Sequence, residues 1–148
     1  MNSIKFTVPG APQGKARPRV VRSKAGGVHT FTPDKTVAYE ELVRLKCREA
    51  CEHPLSGPLY AEIEAIYPIP KSTGKKARQL MERGQVRPTK KPDADNIAKI
   101  ILDAINGIAY EDDAQIVRLS VVKDYECPAA GVDPGVRVMI CEIRELSS

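Results

Sequence analysis

The stretch "DNIAKIILDAINGIAYEDD" limits the fold more than any other part of this chain. Ile97, Ile100, Ile101, Ala104 and Ile105 recur at i, i+3, i+4, i+7 and i+8, which puts them on one stripe of an α-helix. The spacing predicts a helix from about Asn96 to Asn106, with Gly107 at the position just past its end. A helix with a single apolar stripe needs a second layer to cover it.

The flanking segments offer a sheet for that layer. "SIKFTV" alternates Ile4, Phe6 and Val8 and reads as a strand stopped by "PGAPQG". "RVVRSKAGGVHTFT" reads as a hairpin turning at Gly26-Gly27. Pro33 opens a helix running to about Glu52, with Asp34 in its first turn, and "HPLSGP" stops it. "LYAEIEAIY" gives a strand with Leu59, Ala61, Ile63 and Ala65 on one face. "STGKKARQLMERG" is a short basic helix or loop, followed by "QVRPTKKP" as an extended linker. "IVRLSVVKDY" and "GVRVMICEIR" read as two closing strands, paired antiparallel. The expected fold is α/β in the mixed α+β sense, a single mixed β-sheet covered by two or three helices. At 148 residues the chain is expected to form one domain, 1–148, able to bury a core without staples.

Several classes drop out. No apolar run approaches the roughly 20 residues of a membrane helix. The start "MNSIKFTVPG" has no apolar signal core, so a cytoplasmic location is expected. Cys47, Cys51, Cys127 and Cys141 are too few and too scattered for a disulfide framework. Cys47 and Cys51 lie close to His53, which makes zinc conceivable, but the usual knuckle pairs are absent. Tyr39, Val43, Cys47 and Cys51 form one i+4 row, so the thiols read as small core residues.

Charge is segregated along the chain. Residues 1–33 hold six basic residues and no acid, and residues 71–91 hold eight against Glu82 alone. Residues 92–148 reverse the balance, with eleven acids against five bases. Disordered basic tails would explain the basic blocks, but not the acids directly beyond the second. A polyanionic partner explains both. Asp93 and Asp95 precede or open the predicted helix, and Pro92 favours an extended approach to it. In an extended segment i and i+2 share a side, so the two carboxylates would aim at one spot. Lys99 follows one turn later, and the chain returns with Asp112 and Asp113. Acids from two segments suit Mg²⁺, which takes a few carboxylates and completes its shell with water and substrate phosphate. Taken singly, each feature has a plainer reading: Asp93 or Asp95 as a helix cap, Asp95–Lys99 as a surface pair, "EDD" as a solvated turn. A D-x-D alone also occurs in glycosyltransferases and nucleotidyltransferases. The combination is far more specific.

At these residues the sequence resembles the RusA family of Holliday-junction resolvases, crossover-junction endodeoxyribonucleases common in bacterial chromosomes and prophages. The matching text is "KKPDADNIAKIILDAINGIAYEDDAQIV", densest over residues 91–117, and "PGAPQGKARPR" and "TPDKTVAYEELV" also resemble family segments. The resemblance implies metal-site roles for Asp93, Asp95 and Asp113, with Asp112 as a candidate further ligand, and a catalytic role for Lys99. It also implies a homodimer, Mg²⁺ with Mn²⁺ as a substitute, and four-way junction DNA as substrate in recombination and repair. The segment "KSTGKKARQLMERGQVRPTKK" is longer than in the shorter members. Lys99 is assigned to phosphate neutralisation rather than proton abstraction. Lys15, Arg17, Arg19, Lys75, Lys76, Lys90 and Lys91 are expected to contact the DNA backbone. Five Tyr, two Phe and no Trp argue against extensive base stacking. Two rivals are weighed. A nucleotidyltransferase would need a Gly-rich nucleotide loop, and none is found. A non-catalytic DNA-binding protein would need the basic segments but not Asp93, Asp95 and Asp113.

Overall fold

A computed structural model of the chain describes residues 2–16, 19–22, 24, 26–31 and 33–143. In chain order the elements are β1 (Ser3–Pro9), β2 (Arg19–Arg22), β3 (Val28–Phe31), α1 (Asp34–Ala50) and β4 (Leu59–Tyr67). They continue as α2 (Lys75–Glu82), α3 (Ala94–Ile105), β5 (Ile116–Tyr125) and β6 (Gly135–Glu142). β1, β6, β4 and β5 form one four-stranded mixed sheet in that order, and β2–β3 form a separate antiparallel hairpin. The mixed α+β architecture follows the periodicities of the sequence.

One expected pairing is corrected. β5 and β6 are not partners, because β4 lies between them. β5 runs parallel to β4, while β6 is antiparallel to both β4 and β1. The reason lies in the connections. The path from β4 to β5 carries α2 and α3, long enough to bring the chain back for a parallel strand. One edge of β4 is then occupied. The next connection steps across the end of β4, where the Glu126 N–H donates to the Tyr67 carbonyl at 2.8 Å, and β6 takes the other edge.

The core lies between the sheet and α1 and α3. Ile4, Phe6 and Val8 of β1, Leu59, Ala61, Ile63 and Ala65 of β4, and Val136, Val138 and Ile140 of β6 are all buried. From α3 come Ile97, Ile100, Ile101 and Ile105, each fully buried and each worth roughly 1.5–3 kcal/mol against exposure. α1 contributes Tyr39, Val43 and Cys47, and burial pushes the Cys47 thiol up to about 12. Gly107 follows α3 at φ 86°, a left-handed conformation that a side chain would oppose. α2 buries nothing and stands as a basic surface helix. No described helix is long and apolar enough to cross a membrane.

Candidate active site

α3 begins at Ala94, with Asp93 as its N-cap residue in extended geometry (φ −70°, ψ 154°). This corrects the extended approach expected over residues 92–95. Asp95 is already helical, so the alternation that would have aligned it with Asp93 does not operate. Early helix onset suits a carboxylate in the first turn, where it faces the positive end of the helix dipole. The Asp93 side chain makes no capping hydrogen bond, so its carboxylate is not used up by the helix. Asp95, Lys99 and Asp103 form an i, i+4, i+8 row along the solvent-facing flank, spaced about 6 Å per step.

The return of the chain is built on Tyr110. Its ring is fully buried, and its hydroxyl donates to the Leu102 carbonyl of α3 at 2.7 Å. Burial, then the charges of Asp113, Cys47, Asp103 and Asp112, raises its pKa. Anchored this way, the following turn lies beside α3. Asp112 caps a 3₁₀ turn spanning Asp113–Gln115, its Oδ1 accepting from the Ala114 N–H at 3.0 Å. Gln115 Oε1 accepts from the N–H groups of Glu111 and Asp112 at 3.0 and 3.1 Å. Gln115 Nε2 donates to the carbonyls of Leu55 and Gly57 at 3.3 and 3.0 Å, tying the turn to the loop before β4. In "DDAQ" the first Asp and the Gln therefore hold the turn, and Asp113 is the carboxylate left to act.

The two acids differ electrostatically. The Ala114 N–H and then a hydrogen bond with Asp113 hold Asp112 below the usual carboxylate range. Asp113 is raised, first by that shared hydrogen bond, then by slight burial and the charges of Asp112 and Asp103, while Lys99 opposes the rise. The fold thus brings Lys99 and Asp103 of α3 within electrostatic reach of Asp113.

Asp93 faces a different neighbourhood. It lines an open groove of about 790 Å³ with Pro12, Gln13, Gly14, Lys15, Lys35, Lys91 and Asn96. Gly14 packs closely there, since a Cβ would stand 3.0 Å from Pro92 Cβ and 3.2 Å from Asn96 Cβ. Lys15 bonds to Glu40 at 2.9 Å and lies 3.5 Å from Asp103, joining residues 12–16 to α1 and α3. Burial pulls the Lys15 pKa down, but the hydrogen bond and charge of Glu40, with Asp103, outweigh it and leave the ammonium above its usual value. Lys91 is exposed at the groove, whereas Lys90 Nζ lies 5.9 Å from the centre of the Tyr125 ring. Lys75 and Lys76 are exposed on α2. Arg17, and the side chain of Arg19, lie outside the described residues.

Among the described residues no three His, Cys, Asp or Glu side chains form a ready-made metal cage. Mg²⁺ does not require one, because one or two carboxylates suffice when water and phosphate complete the octahedron. The donor set fits in kind: exposed carboxylates, with Asp112 and Asp113 adjacent so that a divalent cation would relieve the crowding of their negative charge. Reading the sequence missed Asp103, Gln115 and Tyr67. Asp103 was visible as the continuation of the Asp95–Lys99 row. Gln115 and Tyr67 act on distant backbone carbonyls, and their spacing carried no such signal.

Two comparisons bear on this arrangement. The chain is similar to an uncharacterised protein, YqaN, of Bacillus subtilis (strain 168), at 39% identity over 147 residues, covering 97% of this chain and 99% of that protein. A family model described as Endodeoxyribonuclease RusA matches residues 9–141, which takes in the Asp93 groove, the α3 row and the "DDAQ" turn. The chain belongs to the RusA family of endodeoxyribonucleases.

Proposed function

We propose that the protein is a Mg²⁺-dependent, structure-specific endonuclease that resolves four-way DNA junctions by paired phosphodiester hydrolysis. The observation that carries this reading is the family match over residues 9–141, which takes in Asp93, Asp95, Lys99 and the Asp113 turn that Tyr110 and Gln115 anchor. Asp93, Asp95 and Asp113 are the carboxylates that would serve Mg²⁺, or Mn²⁺ in its place, although they form no single cluster among the described residues. A divalent cation bound there supplies charge neutralisation at the scissile phosphate and lowers the pKa of a water. Lys99 places an ammonium where negative charge develops on the phosphate. Lys75, Lys76 and Lys91 present charge to the DNA backbone without reading sequence. Lys15, which pairs with Glu40 and Asp103, and Lys90, exposed 5.9 Å from the Tyr125 ring centre, would add to that charge.

A four-way junction has two equivalent strands to cut. A two-fold homodimer would present two sites in symmetric positions, which suits paired cleavage. The test is incubation with labelled four-way junction, linear duplex and flap DNA, with and without Mg²⁺. Cation-dependent, symmetric cuts in the junction are expected. Equal cutting of all three DNAs would remove the junction specificity, and binding without cutting would leave a DNA-binding protein.

A further inference from the structure

We infer that Tyr67 and Lys123, from the ends of β4 and β5, are positioning residues that fix the backbone on which Asp93 stands. The inference rests on the reading of Asp93 as part of the nuclease site. β4 and β5 are parallel and in register at Tyr67 and Tyr125, so both carboxyl ends open at one place. Crevices at the carboxyl ends of parallel strands are the usual ligand sites of open α/β sheets. Here that place is crossed by residues 87–93, the last stretch before α3.

The stretch is held by its main chain. Tyr67, only 2% exposed, donates its hydroxyl to the Pro92 carbonyl at 2.6 Å. Lys123 Nζ donates to the Lys90 carbonyl at 2.7 Å and lies 5.1 Å from the centre of the Tyr67 ring. Arg87 pairs with Asp124 at 3.1 Å, which fastens the start of the stretch to the same strand end. The carbonyls of Lys90 and Pro92, on either side of Lys91, are therefore both bonded. The Pro92 carbonyl belongs to the peptide unit that carries the Asp93 nitrogen. On the other side, the Asp93 carbonyl accepts from the Ile97 N–H at 3.0 Å. Both peptide units of Asp93 are fixed, and only its side-chain torsions remain free.

Such anchoring matters because a displacement of about 1 Å in a reacting group can cost roughly 10²-fold in rate. Tyr67 and Lys123 give their polar atoms to the Pro92 and Lys90 carbonyls, so neither is assigned a direct role toward phosphate or cation. They act through the Asp93 backbone, and they tie its position to the sheet rather than to a free loop.

The test compares wild type with Tyr67→Phe, which removes only the hydroxyl, and with Lys123→Met and Lys123→Arg. Three quantities are measured: single-turnover junction cleavage, junction Kd over a range of salt, and Mn²⁺ affinity of the protein without DNA. Tyr67→Phe should slow cleavage by roughly 10- to 100-fold and weaken Mn²⁺ binding, with Kd for DNA within about threefold of wild type. Lys123→Met should behave alike with an unchanged salt slope, and Lys123→Arg, which keeps a donor, should recover part of the loss. Folded variants that cleave and bind Mn²⁺ like wild type would overturn the positioning role. So would a loss confined to DNA affinity with a flatter salt slope, which would make Lys123 a phosphate contact. A wild-type protein that cuts no DNA with either metal would instead sink the nuclease reading itself, a result separable from both.

Discussion

Asp112 and Asp113 are adjacent, yet their surroundings move them in opposite directions. Asp112 is lowered by a backbone N–H and Asp113 is raised by sharing a hydrogen bond with it. For stability, the Asp112 contribution is present above its unfolded pKa and fades as pH falls through the lowered folded value. The Asp113 contribution has the opposite sign, present below its unfolded pKa and lost as pH rises through the raised one. For activity the raised value matters more, because a protonated carboxyl is a poor metal ligand. The acidic limb of cleavage should therefore begin above the ordinary aspartate range. Asp112→Asn, which still caps the turn, should move that limb to lower pH in a single-turnover profile. Asp93→Asn and Asp113→Asn should abolish Mg²⁺-dependent cleavage while junction binding, followed by gel shift, stays intact or tightens. Lys99→Ala should cost about 10²-fold or more in single-turnover rate with little change in melting temperature. Lys99→Arg should rescue poorly, since a guanidinium is wider and differently directed. Cleavage within about threefold of wild type would make Lys99 a surface ion-pair residue.

Among the elements, α3 was the most legible because its stripe left only one way to lie. All five stripe residues read from the spacing are buried, and the helix starts two residues earlier than Asn96. The site was legible to the extent that its groups ride on that helix: Lys99 follows from its period, while Asp95 joins the row only because α3 begins at Ala94, and Asp103 extends it. The return segment was legible only as a motif. Its geometry depends on Tyr110 beneath α3 and on Gln115 reaching Leu55 and Gly57, residues about 60 positions away. Gln115→Ala should therefore lower stability by about 1–3 kcal/mol, measured by denaturant melts, and slow cleavage further by loosening the Asp113 turn. A slope of log affinity against log salt tests α2. Neutralising Lys75, Lys76 and Lys91 together should flatten it, by nearly one unit for each phosphate that no longer meets a lysine. Adding Lys90 to the set should flatten the slope further, since Lys90 is exposed beside the Tyr125 ring.

At the scale of the whole molecule, all four sheet strands were read from the sequence, with alternation visible along β1 and much of β4 but absent from β5. Their order was not readable. Consecutive strands often pair, which favours β5 against β6, but nothing local to either strand reports that β4 stands between them. That order is set by where the long α2–α3 crossover returns the chain. The same crossover starts α3 at the carboxyl ends of β4 and β5, where Asp93 stands, and returns the chain to the turn before β5 that carries Asp113. β6, the last strand among the described residues, is thus an inner one, and it joins β1 to β4. A chain stopped before Gly135 should show no cooperative melting by circular dichroism, because β1 then has no partner in the sheet. During synthesis the ribosome must therefore have delivered everything through β6 before the first strand finds its place. A nascent chain carries the proposed site acids and lysines in order, but not yet the scaffold that would set them in place.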